Sequence, residues 1–185
     1  VSGDSLKSPK YFSTVIGSSI SSLINNDEIN DINNYRFING DPLSGSKVEY
    51  SDYIGFYNNC LSVIEEGNNY RMLGWLPFMY NSVPSLSKTS FSWLLSGAKK
   101  VNTNLNGEER AIVVTGEMEK YFPMDIFPMQ LIKACIRGDI EKMESLGIYE
   151  VVPEDFGLVD FSCTSKIEAQ EIIKSGIQIM LKEVG

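Results

Sequence analysis

The chain has 185 residues, of which 43% are hydrophobic, and a formal net charge of −8. This length suffices for one large or two small domains, and the negative charge, without any Lys/Arg-rich run, argues against nucleic acid as a partner. The chain contains no histidine, which excludes Ser-His and Cys-His catalytic pairs and histidine-based zinc sites.

The three cysteines, Cys60, Cys135 and Cys163, lie far apart in the sequence and form no CxxC pair. An odd number at this spacing predicts reduced thiols rather than a disulfide framework. No apolar stretch approaches the roughly 20 residues of a membrane-spanning helix, so we expect no transmembrane segment. Residues 1–10 are polar, with turn residues and no signal-peptide pattern. We expect them to be a linker from a missing upstream region.

Residues 11–65 predict a β-grasp domain of the soluble-ligand-binding type. Residues 11–16 alternate as a strand does, and SSISSLI predicts a short helix. Its apolar face consists of Ile20, Leu23 and Ile24. YRFING, from residue 35, and the segment after DPLSG predict two more strands. Gly40 and Gly45 favour a hairpin turn over a phosphate loop, because GxxxxGK[ST] is absent.

Residues 66–122 predict a strand-rich connecting region. Three strand-like runs occur between residues 61 and 122: LSVIEEG from residue 61, NYRMLGWLPF from residue 69 and ERAIVVTG from residue 109. An aromatic cluster in this part either lines a ligand groove or interface, or packs the core of the central sheet. The cluster comprises Trp75, Phe78, Met79, Tyr80, Phe91 and Trp93.

Residues 123–185 predict a helical C-terminal domain. MQLIKACIRG predicts a helix that begins near Pro128 and stops at Gly138. Its expected apolar face consists of Leu131, Ile132, Cys135 and Ile136. Asp139 is the expected cap of the next helix, on which Ile140, Met143 and Leu146 are spaced by three, and Gly147 is its end.

A long final helix is predicted after a capping box formed by Ser165 and Glu168. Its expected apolar face consists of Ile172, Ile173, Ile177, Met180, Leu181 and Val184. Gly176 within this helix lowers helix stability by about 1 kcal/mol relative to alanine, so we expect it to permit close packing. The acidic pairs Glu65-Glu66 and Glu154-Asp155 are predicted to be solvated, because adjacent side chains point apart.

The last third also has the spacing of an iron–sulfur frame without its ligands. Ferredoxin-type runs read C-x2-C-x2-C-x3-C-P and supply thiolates to two clusters. With Cys163 as the last ligand, the earlier positions are Val159, Phe156 and Pro153, and Thr164 replaces the proline. The alternative is that this register is a coincidence.

The other run is placed by Phe122, which precedes Pro123. Counting back gives Met118, Thr115 and Ile112. Only one of the eight ligand positions is therefore cysteine, whereas a four-iron cluster needs about four thiolates. We expect a cluster-less frame in which Phe156, Val159 and Cys163 are buried in one core, with Ile112 and Met118 nearby.

Residues 107–166 strongly resemble the C-terminal part of the A subunit in the sodium-translocating NADH:quinone reductase family. The motifs that carry the resemblance are Gly107-Glu108-Glu109-Arg110-Ala111, Phe122-Pro123-Met124-Asp125-Ile126, Gly138-Asp139, Leu146-Gly147 and Glu154-Asp155. FINGDPLSG, residues 37–45, looks like the β-grasp turn of that family. The resemblance covers nearly the whole chain and is less specific before residue 70. The related C subunit of the Rnf complex keeps both cysteine runs.

The resemblance implies an α+β protein: a β-grasp domain, a strand-rich connection and a small helical domain that resembles a cluster-less ferredoxin frame. It implies a non-catalytic scaffold and docking part of a complex that passes electrons from NADH to ubiquinone and exports Na⁺. Implied partners are the other subunits of this membrane complex, with ubiquinone as a candidate contact. The implied location is peripheral, at the cytoplasmic face of the bacterial inner membrane.

NADH, flavins, iron–sulfur centres and ubiquinone would be used by the complex as a whole, and none would be bound by this fragment. We therefore predict no catalytic, cofactor-binding or metal-binding residue in the chain. One alternative from another functional class is a free-standing small-ligand-binding β-grasp module. A further alternative is a metal-bearing electron carrier, which the small number of cysteines disfavours.

Overall fold

The computed structural model describes residues 1–24, 29, 31–68, 71–74, 76–77, 91, 94 and 101–184. The chain divides into two units, Val1–Asn106 and Gly107–Gly185. In the described part, strands lie in the first unit and the longer helices lie in the second, so the α+β class is confirmed. The finer division at residues 10, 65 and 122 stays a prediction.

A three-stranded antiparallel sheet forms the centre of the first unit. Its strands are Tyr35–Asn39 (β1), Ser46–Val48 (β2) and Leu61–Glu65 (β3), in the order β2-β1-β3. Phe37 of β1 pairs with Val48 on one side and with Val63 on the other. The helix Ile20–Leu23 (α1) packs its buried side chains against this sheet. These four elements were predicted correctly, including the burial of Ile24.

The predicted strand at residues 11–16 is wrong, because residues 11–15 have no secondary-structure assignment and Ile16 lies in a turn. The outer edge of β3 is taken instead by Ser2, which bridges Ser62 in parallel. A strand needs a partner for its backbone N–H and C=O groups, and alternation alone does not supply one. Residues 1–10 contribute to this unit through Ser2 and the buried Leu6. That a further region precedes them stays a prediction.

The strand predicted at residues 109–116 is also wrong. Val113 and Val114 are exposed, and the segment has no strand assignment. Instead of pairing with a strand, its backbone forms a hydrogen bond with a turn: Arg110 N–H donates to the Ser165 carbonyl at 2.9 Å. Of the run from residue 69, residues 72–74 and 77 lie in turns, and the rest includes residues outside the described part.

Four α-helices build the second unit. They are Pro128–Arg137 (α2), Ile140–Ser145 (α3), Gly157–Ser162 (α4) and Ala169–Val184 (α5). Pro128 occupies the first turn of α2, and Gly138 ends it in the left-handed conformation with φ 65°, as predicted. Asp139 caps α3 as predicted, accepting a hydrogen bond from Lys142 N–H at 3.2 Å.

Two residues of the predicted apolar faces are exposed. Ile136 in α2 and Leu181 in α5 both lie in the last turn of their helix and face solvent. The spacing of apolar residues predicts which face of a helix a side chain lies on. It does not predict whether a neighbouring element covers that face as far as the last turn of the helix. The buried residues of α2 include Met129 and Ala134 instead. The Val184 side chain lies outside the described part.

Helix α5 is capped by a residue of α4 rather than by the predicted Ser165–Glu168 box. The Asp160 carboxylate accepts hydrogen bonds from the backbone N–H groups of Ala169, at 2.5 Å, and Gln170, at 3.3 Å. The Gln170 side-chain amide donates to the same carboxylate at 2.9 Å. Ser165 lies before the cap position, and its hydroxyl donates to the Ala111 carbonyl.

Gly176 permits the close packing that the sequence predicts. A Cβ atom at this position would lie 2.5 Å from Cys135 Sγ and 3.4 Å from Met143 Sδ. The first distance is shorter than carbon–sulfur contacts allow. Glycine therefore lets α5 pack directly on α2 and α3.

Candidate functional site

The two runs of the iron–sulfur frame meet in one hydrophobic core, which we call the frame core. Phe156, Val159 and Cys163 are buried there. Met118 and Phe122 of the other run belong to the same core, and Ile112 packs against it. The predicted contiguous core is confirmed.

Two of the eight frame positions do not join the frame core. Thr115 is exposed and Pro153 is half-buried. The centre of contact between the runs is aromatic, because the Phe122 and Phe156 rings lie 4.7 Å apart at 45°. Such a tilted pair adds about 0.5–1.5 kcal/mol to the burial of the two rings. An aromatic contact therefore joins the two runs within the frame core.

A short 3-10 turn, Pro153–Phe156, aims Phe156 into the frame core. The Asp155 carboxylate accepts a hydrogen bond from Val152 N–H at 2.9 Å and fixes the start of this turn. Glu154 beside it is exposed. The acidic pair thus starts a turn, and its two side chains do not converge on one point, as predicted from their adjacency.

The three cysteines are free thiols, as predicted. Burial in the helical core raises the pKa of the Cys135 thiol to about 11, which leaves almost no reactive thiolate at neutral pH. Cys163 is buried among the apolar residues of the frame core. Within the described ranges, no group of three or more Cys, Asp or Glu side chains is placed to hold a metal ion.

The first unit has a groove of about 370 Å³ beside β1 and β2, which we call the tyrosine groove. Tyr35 and Tyr50 provide aromatic surface, and the Phe37 and Tyr50 rings lie 5.6 Å apart. The Tyr50 hydroxyl donates to the Ile24 carbonyl at 2.9 Å, which fixes the orientation of the ring. The groove is lined by Ile32, Asn33, Tyr35, Phe37, Lys47, Val48, Glu49, Tyr50, Glu66 and Asn68.

Glu66, which lines the tyrosine groove, forms an ion pair with Arg36. The Arg36 guanidinium donates to Glu66 from Nε at 2.9 Å and from Nη2, and the Thr103 hydroxyl donates to the same carboxylate at 2.9 Å. The hydrogen bond from Arg36 lowers the pKa of Glu66 below its ordinary value. Glu65 is exposed as predicted, but Glu66 is half-buried and paired, so the prediction of a solvated side chain is wrong for that residue.

The loop between β1 and β2 is the predicted hairpin turn. The Asp41 carboxylate accepts hydrogen bonds from the backbone N–H groups of Leu43, at 2.8 Å, and Ser44, at 3.0 Å. These N–H groups are therefore already bound within the turn. The Ser44 hydroxyl also donates to Asp41, and together these bonds lower the pKa of Asp41.

Most of the predicted aromatic cluster lies outside the described residues: Trp75, Phe78, Met79, Tyr80 and Trp93. Phe91 is described and is exposed. The hypothesis of a groove or interface at this cluster stays a prediction. Among the helices of the described part, none has the length and apolar character needed to cross a bilayer.

The chain is similar to known proteins along nearly its whole length. Residues 1–50 match a family model described as the NQRA C-terminal domain. The chain is 34% identical, over 98% of its length, to the A subunit of the Na(+)-translocating NADH-quinone reductase of Neisseria meningitidis serogroup C, of which it covers 40%. It is 35% identical, over 99% of its length, to the same protein of Pasteurella multocida, of which it covers 41%. The chain thus spans about two fifths of these curated relatives.

Proposed function

Because the chain is homologous, over almost its whole length, to the C-terminal part of the A subunit of the Na(+)-translocating NADH-quinone reductase, we propose that it is a non-catalytic scaffold and docking part of such a complex. The proposed complex transfers electrons from NADH to ubiquinone and exports Na⁺. The observation that carries the proposal is the 34% identity over 98% of the chain, which extends through both structural units.

The frame core supports a scaffolding role for the second unit. Phe156 and Val159 stand at positions where a ferredoxin-type frame has thiolates, and both are fully buried. Buried apolar side chains stabilise a fold but carry no electrons. We propose on this basis that the chain itself binds no iron, flavin or zinc, and that the cofactors of the complex belong to its other parts.

The proposed partners are other subunits of the same complex, and the proposed location is peripheral, at the cytoplasmic face of the bacterial inner membrane. For the first unit we propose a β-grasp fold. The sheet with a helix packed on it, and the parallel bridge between Ser2 and Ser62 at its edge, support this proposal. The match of residues 1–50 to the NQRA C-terminal domain supports it independently.

The tyrosine groove favours a second candidate, a free-standing small-ligand-binding module. Tyr35 and Tyr50 offer ring faces on which a flat ligand could stack, and Lys47 at the rim offers a donor. The same chemistry suits the ring and carbonyl oxygens of a quinone. If ubiquinone contacts the described residues of the first unit, we propose that it does so in this groove.

Affinity purification from detergent-solubilised membranes tests the leading proposal. The gene that encodes this chain would be tagged in its native host, and the expected eluate contains other subunits together with Na⁺-stimulated NADH:ubiquinone reductase activity. Recovery of the tagged protein alone from the soluble fraction would contradict a role in a membrane complex. Saturable binding of a short-chain ubiquinone by the chain, lost in Y50A and kept in Y149A, would support the groove as its contact.

A further inference from the structure

The dipeptide Asn-Gly occurs at two places in the chain, Asn39-Gly40 and Asn106-Gly107. In this dipeptide the backbone nitrogen of glycine can attack the side-chain carbonyl carbon of asparagine, because no Cβ atom shields the nitrogen and the glycine backbone is unrestricted. The structure places the two copies in opposite surroundings. A comparison of the two therefore shows which one the fold leaves reactive.

Asn39-Gly40 is held in the sheet of the first unit. Asn39 is the last residue of the central strand β1, where it pairs with Ser46 and Leu61 and is only 6% exposed. The attacking nitrogen is engaged as well, because Gly40 N–H donates to the Cys60 carbonyl at 2.9 Å. Reaction at this copy therefore requires that β1 first separates from its neighbours.

Asn106-Gly107 lacks these restraints. Both residues are exposed and belong to no helix or strand. Asn106 has φ 52°, a left-handed conformation that asparagine adopts more readily than most residues. Its side-chain nitrogen donates to the Asn104 carbonyl at 3.1 Å, whereas Gly107 N–H donates to no group within the described ranges. Neither burial nor a hydrogen bond to a described residue thus keeps the glycine nitrogen from the side chain.

The residue that follows distinguishes Asn106 from the other asparagines of the same segment. Asn102 precedes Thr103 and Asn104 precedes Leu105, and the side chains of these successors crowd the nitrogen that would have to attack. The Asn102 side-chain oxygen is also engaged, since it accepts a hydrogen bond from Asn104 N–H at 3.1 Å. Asn106 alone in this segment combines an exposed amide with a glycine successor.

We propose that Asn106 is a site of spontaneous deamidation in the folded chain. The Gly107 nitrogen bonds to Asn106 Cγ, the bond from Cγ to Nδ2 breaks, and Nδ2 leaves as ammonia with the proton that the glycine nitrogen has lost. Water then opens the resulting cyclic imide. Cleavage between Cγ and the nitrogen gives aspartate, and cleavage between the main-chain carbonyl carbon and the nitrogen gives isoaspartate. One water is consumed, one ammonia is released, and no electron is transferred.

The reaction changes the chain at the peptide bond that links the two units, because the first unit ends at Asn106 and the second begins at Gly107. Either product adds a carboxylate, and isoaspartate also lengthens the main chain by one carbon. Neither residue belongs to the hydrophobic core of its unit. The modified chain should therefore keep both cores folded. The free main-chain carboxylate of isoaspartate is the group that isoaspartyl methyltransferases recognise, which makes this enzyme class the expected partner of the modified residue.

Incubation of the folded 185-residue chain at physiological temperature and mildly alkaline pH, followed by peptide mass spectrometry, tests the proposal. Asn106 should deamidate at least about tenfold faster than Asn39, because Asn39 reacts only in the small fraction of molecules in which β1 has opened. In urea that unfolds the chain, the two rates should agree within about threefold, since both dipeptides are then exposed. An isoaspartyl methyltransferase with labelled S-adenosylmethionine should label the peptide that contains residue 106, and N106D supplies the aspartyl peptide as a standard.

Gly107→Ala keeps the asparagine but shields the attacking nitrogen, so it should slow deamidation of Asn106 at least about tenfold. The added Cβ would lie 3.2 Å from Lys166 Cε, near the end of a flexible side chain that can move aside, and circular dichroism verifies the fold. Val114→Ala, at an exposed site, is the matched control and should leave the rate unchanged.

Three outcomes would overturn the proposal: an Asn106 that stays intact in the folded chain, equal rates at Asn39 and Asn106 before unfolding, or a Gly107→Ala chain that deamidates as fast as the unaltered one. The first two measurements use the unaltered chain and do not depend on the folding of a variant. None of them involves another protein of the complex, so failure here is distinct from failure of the proposed function.

Discussion

Phe156 is the residue at which the two halves of the frame core meet. Its side chain is fully buried and its ring contacts that of Phe122. We predict that Phe156→Ala lowers the free energy of unfolding by about 3–5 kcal/mol, because it removes a buried aromatic side chain and leaves a cavity. Urea denaturation measures the change. Phe161→Ala on the exposed side of α4 is the control and should change it by about 0.5 kcal/mol or less.

Cys163 tests whether the frame retains thiol chemistry. As a small buried side chain it should be inert, so Cys163→Ala should destabilise the chain by only about 1 kcal/mol. A thiol reagent added to the folded chain should modify the half-buried Cys60 first, and Cys135 and Cys163 only on unfolding. Rapid modification of Cys163 would show that it is accessible and would contradict the burial on which the frame register depends.

Glu66 predicts a pH dependence of stability with a definite sign. Its pKa in the folded chain is lowered by Arg36 from the ordinary value of 4.5, so the ion pair contributes stability above about pH 4.5 and loses it as pH falls through the lowered pKa. Glu66→Gln should therefore destabilise the chain by about 1 kcal/mol at pH 7. The difference from the unaltered chain should vanish in acid. Glu65→Gln, at the exposed neighbouring residue, controls for the change in net charge.

At the scale of elements, Asp160 connects α4 to the start of α5. Replacing it by alanine removes three hydrogen bonds and should destabilise the chain by about 1–2 kcal/mol. Hydrogen exchange should accelerate at the amides of Ala169 and Gln170 and stay unchanged at those of α3. Normal protection of these two amides in Asp160→Ala would contradict the assigned cap.

Asp160 also gives a pH effect of the opposite sign to that of Glu66. Burial raises the pKa of its carboxyl above 3.8, more than the hydrogen bonds from Gln170 and Ala169 lower it. A raised pKa in the folded state means that stability is lost as pH rises through that pKa. The advantage of the unaltered chain over Asp160→Asn should therefore shrink as pH rises from 3.8 through the raised pKa.

The elements that sequence predicts correctly are those whose signals are local. Pro128 starts helix α2, Gly138 ends it, and Asp139 caps the start of α3. Each of these residues lies within a residue or two of the helix end that it determines. The strands predicted at 11–16 and 109–116 fail because a strand depends on a partner elsewhere in the chain. The cap of α5 fails for the same reason, since Asp160 lies nine residues before Ala169.

The two candidate sites also differ in whether they depend on local sequence or on contacts between distant residues. The frame core could be predicted, because the register counted from Cys163 and Phe122 depends only on spacing within each run. The tyrosine groove could not, because Tyr35, Tyr50 and Glu66 come together only when β1 pairs with β2 and β3. The Arg36–Glu66 pair joins residues 30 positions apart, and no local pattern indicates such a partner.

At the scale of the molecule, each unit has a hydrophobic core of its own. In the described part, the core of the first unit is drawn from residues 1–63, and the frame core with its surrounding helices is drawn from residues 112–180. Neither core shares a residue with the other. Similarity to the relatives continues through both units.

Separate cores predict that the second unit folds alone. Residues 107–185 produced without the rest should be helical by circular dichroism and unfold cooperatively in urea, because all buried side chains of the frame core lie within them. Phe156→Ala should lower the stability of this piece by the same 3–5 kcal/mol or so as in the whole chain, since the contacts of Phe156 in the core are internal to the unit. The exposed Phe161→Ala is again the control. A piece that is unfolded, or that Phe156→Ala and Phe161→Ala destabilise equally, would show that the frame core depends on the first unit.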